Sequence, residues 1–110
     1  AAGRSCYLAL GSEAAEARCF PLALELLRRG IGVRWNGRPE KLGKQLKQAN
    51  ALQAACVLIM HDDELQRNVV QAKDFIGKSE PQTFALTADT AALAGEVEKY
   101  INGLAAADRS

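Results

Sequence analysis

The sequence predicts an α/β sandwich built around a mixed sheet. Three observations carry that expectation. The leading strand–helix units imply parallel strands joined by right-handed crossovers. The last two strands are joined by a short connection, which implies an antiparallel pair. Between them, residues 55–60 (ACVLIM) form the most continuous apolar run in the chain, the pattern of a central strand covered on both faces.

Residues 5–10 (SCYLAL) are a short apolar run ended by Gly11 and read as a buried strand. Ser12 offers an N-cap and Glu13 a first-turn acid, so a helix follows at once. Its apolar positions Ala17, Phe20, Leu24 and Leu27 recur at helical spacing and are the expected buried face. Arg28, Arg29 and Gly30 supply a cationic last turn and a left-handed stop. Pro21 lacks the N–H for the carbonyl four residues back and predicts a kink or break near 18–20. Residues 31–35 (IGVRW) are a second strand, with Ile31, Val33 and Trp35 on one side. Asn36, Gly37, Arg38 and Pro39 form a loop, and Pro39 is placed to start the next helix. On that helix Leu42, Leu46 and Ala49 share one face and Lys41, Lys44 and Gln48 another. After the central strand come a polar turn at 61–68 (HDDELQRN), a strand at 69–75 and a Gly77-Lys78-Ser79 turn. A partner strand at 82–86 follows. The last helix is expected over 89–103, burying Leu93, Val97, Tyr100, Ile101 and Leu104, with AAADRS as a fraying tail.

With 110 residues, 48% of them hydrophobic and 25% charged, the chain has material for a single domain, 1–110, with one core. No run has the length to span a bilayer, and the N-terminal apolar patch is too short for a signal peptide. Cys6, Cys19 and Cys56 are an odd set without a close pair and read as reduced thiols. A cytoplasmic protein is the expectation. The net charge of +1 conceals an asymmetry: Arg28, Arg29, Arg34, Arg38, Lys41, Lys44 and Lys47 stand against Glu40 alone. That segment carries +6 and the rest of the chain −5. One electropositive face fits a phosphate-bearing partner; a solvated face without a partner is the plainer alternative.

Enzymatic motifs are weak. His61 is the only histidine, which excludes sites built on several imidazoles. Gly77-Lys78-Ser79 resembles the end of a phosphate-binding loop, but Ala72 stands where its first glycine belongs. Asp62, Asp63 and Glu64 read as helix-start acids before they read as a cation site.

Lys41, Lys44-Gln45-Leu46-Lys47 and Ala49, then the apolar strand, then Asp63-Glu64-Leu65 and Val69-Val70-Gln71-Ala72-Lys73-Asp74, together form a recognisable block. It resembles the C-terminal anticodon-binding domain of class II aminoacyl-tRNA synthetases, most of all that of histidyl-tRNA synthetases. The resemblance covers nearly the whole chain. It implies a three-layer sandwich with a five-stranded mixed sheet flanked by helices, and a role in gripping the anticodon arm of a tRNA, here histidine tRNA. It further implies that Glu64 and Lys73 contact anticodon bases. A carboxylate accepts from base amino and imino groups, a cation reaches base acceptors or phosphate, and unpaired loop bases are what proteins read on RNA. Arg38, Lys41, Lys44, Gln45 and Lys47 would then contact the tRNA backbone. Trp35 could stack on an unpaired base or belong to the core. His61 stands where the family usually has glycine, which makes positive φ a question at that position.

Class II catalytic motifs are absent from these residues, so the resemblance implies that ligation is carried out by a catalytic domain of a longer, homodimeric parent, an ATP-dependent histidine–tRNA ligase. It implies no cofactor in this domain and no membrane partner. The alternative is a synthetase-like module reused for regulation or protein interaction.

Overall fold

The computed structural model describes residues 4–74 and 80–109, with side chains as far as Leu104. Among these residues, five strands form one sheet: β1 (Ser5–Leu10), β2 (Gly32–Arg34), β3 (Cys56–Met60), β4 (Val69–Asp74) and β5 (Gln82–Ala85). Their spatial order is β2-β1-β3-β4-β5. β1 is parallel to both β2 and β3, whereas β3–β4 and β4–β5 are antiparallel. The parallel β2-β1-β3 half and the antiparallel β4–β5 pair follow the expected division, the β3–β4 pair is antiparallel as well, and β3 is buried along its whole length. Helices α1 (Glu13–Arg28) and α4 (Thr90–Arg109) pack on one face, where Leu8, Leu10, Leu58 and Met60 meet Leu22, Leu26, Val97 and Ile101. Helix α2 (Leu42–Ala51) covers the other face through Leu42, Leu46 and Ala49 against Tyr7, Ala9, Val57 and Ile59. This is a three-layer sandwich.

Several local expectations are corrected. α1 buries Ala15, Cys19, Leu22, Ala23 and Leu26, while the expected stripe is exposed, Leu24 at 61% and Leu27 at 51%. The helix is apolar on both stripes, so periodicity alone does not choose between them; its C-terminal stop does. Gly30 takes φ +80°, its N–H donates to Leu27 O, and Ile31 N–H donates to Leu26 O at 3.0 Å. That turn brings buried Ile31 and buried Leu26 to one corner and fixes the rotation of the helix. α1 also runs unbroken through Pro21. Both Ala17 and Pro21 are exposed, so the carbonyl left without an N–H lies on the wet side.

α2 begins at Leu42, three residues after Pro39, and α4 continues to Arg109 instead of ending near Gly103. The polar turn is a short helix, α3 (Asp62–Arg67), with three acids in its first turn and Asn68 stopping it in the left-handed region at φ 58°. Phe75 and the turn at 77–79 lie outside the described residues.

All three cysteines are buried and free. Burial pushes the Cys6 and Cys19 thiols up to about 12 and Cys56 well above its ordinary value, with Cys6 and Asp74 adding to the last. The native protein should therefore resist aromatic disulfide reagents at pH 8 and release three equivalents only after denaturation. The same inequality sets an alkaline limit. Unfolded thiols ionise near 9 while the folded ones stay protonated, so stability should fall as pH rises from about 9 towards 12, a trend urea titrations at successive pH values would register.

Candidate nucleic-acid interface

The amino end of α2 gathers Lys41 and Lys44 just after the loop that carries Arg38. Its N-cap is Lys41, which has no acceptor to cap with, and the first turn contains no acid. Cations at this end oppose the helix dipole at roughly 0.3–1 kcal/mol each. Such a helix is poorly matched to water and well matched to an anion. Lys44 Nζ lies 2.6 Å from a Glu40 carboxylate oxygen, and Asn36 Nδ2 donates to the other oxygen. The Glu40 side chain is only 7% exposed, so this clamp neutralises a nearly buried carboxylate and ties the preceding loop to the helix. Arg34, Arg38, Lys41 and Lys47 are exposed and form no ion pair among the described residues.

Arg28 and Arg29 stand apart from this group. Arg28 pairs with Glu25, while Arg29 donates to Glu98 and to the Ala91 carbonyl, joining the end of α1 to α4. The Arg29 hydrogen bond is the main reason the Glu98 carboxyl is held below its ordinary value. The run of positive charge seen in the sequence thus divides between a structural tie and an exposed group.

Gln45 is buried, at 1% exposure, and spans three elements. Its Nε2 donates to the Leu10 carbonyl at the end of β1 (2.8 Å), which leaves Oε1 to accept from His61 Nε2 at 2.7 Å. His61 is therefore held as the Nε2–H tautomer in its neutral form. The His61 backbone N–H in turn donates to Glu64 Oε1 at 2.9 Å, an N-terminal cap for α3. One chain of contacts runs from α2 through β1 and His61 to Glu64.

On β4, Val70 and Ala72 point into the larger core, so Gln71 and Lys73 take the opposite face, in register with Ile59 and Val57. α2 sits over β1 and β3, and beside it Lys73, Thr83 and Ala85 form an exposed strip of sheet. Register also separates the two expected base-reading residues. Lys73 lies opposite Val57 near the start of β3, and Glu64 lies beyond Met60 at its end, about 10 Å further along the strand direction. They therefore stand at two separate points of the sheet.

This arrangement can hold a strand of phosphates along α2 and present a carboxylate and an ammonium to bases. A family model described as the anticodon binding domain matches residues 5–99. The chain belongs to that family. It is 34% identical over 71 residues to a histidine–tRNA ligase of Anoxybacillus flavithermus and 36% identical over 72 residues to one of Sorangium cellulosum. Each match covers 64% of this chain and 17% of the relative, so the chain corresponds to a small part of those enzymes. The apo S. aureus histidyl-tRNA synthetase superposes with a TM-score of 0.67 at 21% identity, over 90% of this chain and 26% of that one. The RNA binding domain of a threonyl-tRNA synthetase from Cryptosporidium parvum gives 0.71 at 14% identity, over 94% and 24%. These solved structures share the fold.

Within this anticodon-binding fold the expected residues separate. Arg38, Lys41, Lys44, Lys47 and Lys73 are exposed, and Glu64 is half-buried with one oxygen engaged. Gln45 is corrected from a tRNA-backbone contact to an internal positioning residue, because both ends of its amide are used inside the fold. His61 has φ −101°, so the glycine-like conformation is not used there. Two residues to which the sequence reading gave no part in the site support it. Glu40 was legible as an acid four residues before Lys44. Asn68, whose left-handed φ and bonds to Leu86 tie α3 to the end of β5, carried no distinct signal.

His61 fits because Gly11 has no side chain: a Cβ at Gly11 would lie 2.5 Å from His61 Nδ1. Gly11→Ala should destabilise the domain by roughly 1–3 kcal/mol. Adding His61→Gly should recover part of that loss, so a double-mutant cycle by chemical denaturation should give a non-zero coupling for this pair.

Proposed function

We propose that this domain binds the anticodon arm of histidine tRNA for a histidine–tRNA ligase. The observation that carries the reading is the exposed cationic end of α2, whose lysines oppose their own helix dipole, in a family whose matched relatives here are histidine–tRNA ligases. Lys41, Lys47 and Arg38 neutralise phosphates, with Lys44 adding charge beside its Glu40 clamp. Lys73 and the second carboxylate oxygen of Glu64 meet bases of the loop. Amino-acid activation belongs to a catalytic domain elsewhere in a longer, homodimeric, cytoplasmic parent, and this domain uses no cofactor.

A second reading, a module for protein interaction, is favoured by the exposed stripe of Phe20, Leu24 and Leu27, which with Trp35 lines an apolar groove of about 420 Å³. RNA titrations separate the two. An anticodon stem-loop should bind the domain with a steep salt dependence. Lys47→Ala should lower the slope of log K against log salt by about one without loss of fold. Lys44→Ala should also cost stability, because it strands Glu40.

The conservative change Glu64→Gln keeps an oxygen for the His61 N–H, so the melting temperature should hold while preference among loop bases shifts. An unchanged preference in Glu64→Gln and in Lys73→Ala would remove both from base reading. Absence of RNA binding altogether would favour the protein-interaction module.

A further inference from the structure

On the far side of α2 from Lys73, a second concavity of about 300 Å³ lies between the end of α2 and the β2 edge of the sheet. Tyr7, Arg34, Trp35, Asn36, Gln48 and Leu52 line it, with Ala51 at its helical wall. Trp35 is 39% exposed, just past the end of β2, and is steadied by an edge-on contact with Phe20 at 4.8 Å between ring centroids. The Glu40 clamp anchors Asn36, the next residue, so the indole is set on a fixed stretch of chain. Gln48 Oε1 takes the Tyr7 hydroxyl at 2.5 Å, which leaves the Gln48 amide N–H groups directed elsewhere. Burial, with the Glu40 carboxylate adding to it, raises Tyr7 above its ordinary value and keeps that hydroxyl a donor. Arg34 forms no ion pair among the described residues.

We propose that this concavity receives one unpaired RNA base stacked against Trp35, a second point of base contact separate from Glu64 and Lys73. The proposal rests on the RNA-binding reading. Its size is at the lower end for small-ligand sites, about 300 Å³ upward, and suits a single base. An aromatic ring supplies the stacking surface, and Arg34 and Gln48 bring donors that complement the ring nitrogens and carbonyl oxygens of a base. The backbone path is continuous with it. Lys44, Gln48 and Ala51 follow one another at helical neighbour spacing, as do Lys47 and Ala51, so phosphates held by the lysines lead into the pocket. Three strand spacings, about 14 Å, separate β2 from β4, so the two base sites flank the phosphate ridge on opposite sides.

Trp35 is the only tryptophan, which gives a direct readout. The 110-residue protein is titrated with two labelled RNAs, an anticodon stem-loop and a fully paired duplex of equal charge, following RNA anisotropy and protein fluorescence together. The stem-loop should quench Trp35 with the midpoint seen by anisotropy, and the duplex should bind without quenching. Ala51→Leu fills the pocket without changing charge and leaves Trp35 and its Phe20 contact in place. It should abolish quenching and weaken the stem-loop roughly tenfold, leaving the duplex unchanged. Trp35→Leu, read by anisotropy alone, should weaken the stem-loop by a similar factor with the same salt slope.

Stem-loop binding that neither quenches Trp35 nor responds to Ala51→Leu would overturn the pocket and leave the RNA-binding reading intact. Equal quenching by the duplex would overturn the assignment to an unpaired base. If neither RNA binds the unaltered protein, both proposals are overturned.

Discussion

The buried amide of Gln45 is the contact on which the functional arrangement depends. It comes from the middle of α2 and joins the end of β1 to His61, and through His61 to the first turn of α3. Removing it would leave the half-buried imidazole without this partner and take from the buried Leu10 carbonyl a hydrogen bond worth about 1–3 kcal/mol when left unmade. The amide also couples positions. The ridge carrying the lysines and the turn carrying Glu64 are held to one frame by a single side chain, so a shift of α2 on the sheet is a shift relative to Glu64 as well.

Around that frame the molecule accepts local electrostatic costs. Lys41 and Lys44 stand at the wrong end of their helix dipole, and Glu40 is nearly buried yet charged. The Glu40 and Lys44 costs offset one another, since Glu40 is satisfied at both oxygens by Asn36 and Lys44. Part of the lysine cost is left uncompensated on the surface, where an anion would relieve it. The opposite layer is treated differently. There Arg29 and Arg4 converge on Glu98, fastening the end of α1 and the start of β1 to α4. Two basic groups adjacent in sequence therefore serve opposite layers.

The strands were legible because each is a short apolar run between strong punctuators, and connection length marked the last pair as antiparallel, whereas the spatial order and the antiparallel β3–β4 pairing carried no sequence signal of their own. The electropositive helix was legible from charge spacing, and the family from the block that contains it. What could not be read were choices made by tertiary packing. α1 carries two apolar stripes of similar strength, and the left-handed turn at Gly30 selects between them. Gln45 sits between two lysines in a polar segment, and nothing local distinguishes a wet glutamine from one that meets a strand-end carbonyl. The site of His61 is created by the missing side chain of Gly11, fifty residues away in the chain.

The sheet also has a kinetic shape. Partners across β3–β4 and β4–β5 are separated by only 10 to 18 residues, as in Ala72 with Gln82 and Cys56 with Asp74. Pairing β1 with β3 joins Cys6 to Cys56, residues 50 apart, and closes a loop that contains α1, β2 and α2. Loop closure is an entropic cost that rises with length, so the C-terminal meander assembles on local contacts while the N-terminal strand carries the long-range cost. Because β1 lies between β2 and β3, capturing it is also the step that brings Trp35, α2 and Glu64 into one surface. The register thus divides the cost of closure: the strip bearing Lys73 rests on pairings close in sequence, and the composite surface requires the most distant pairing in the sheet.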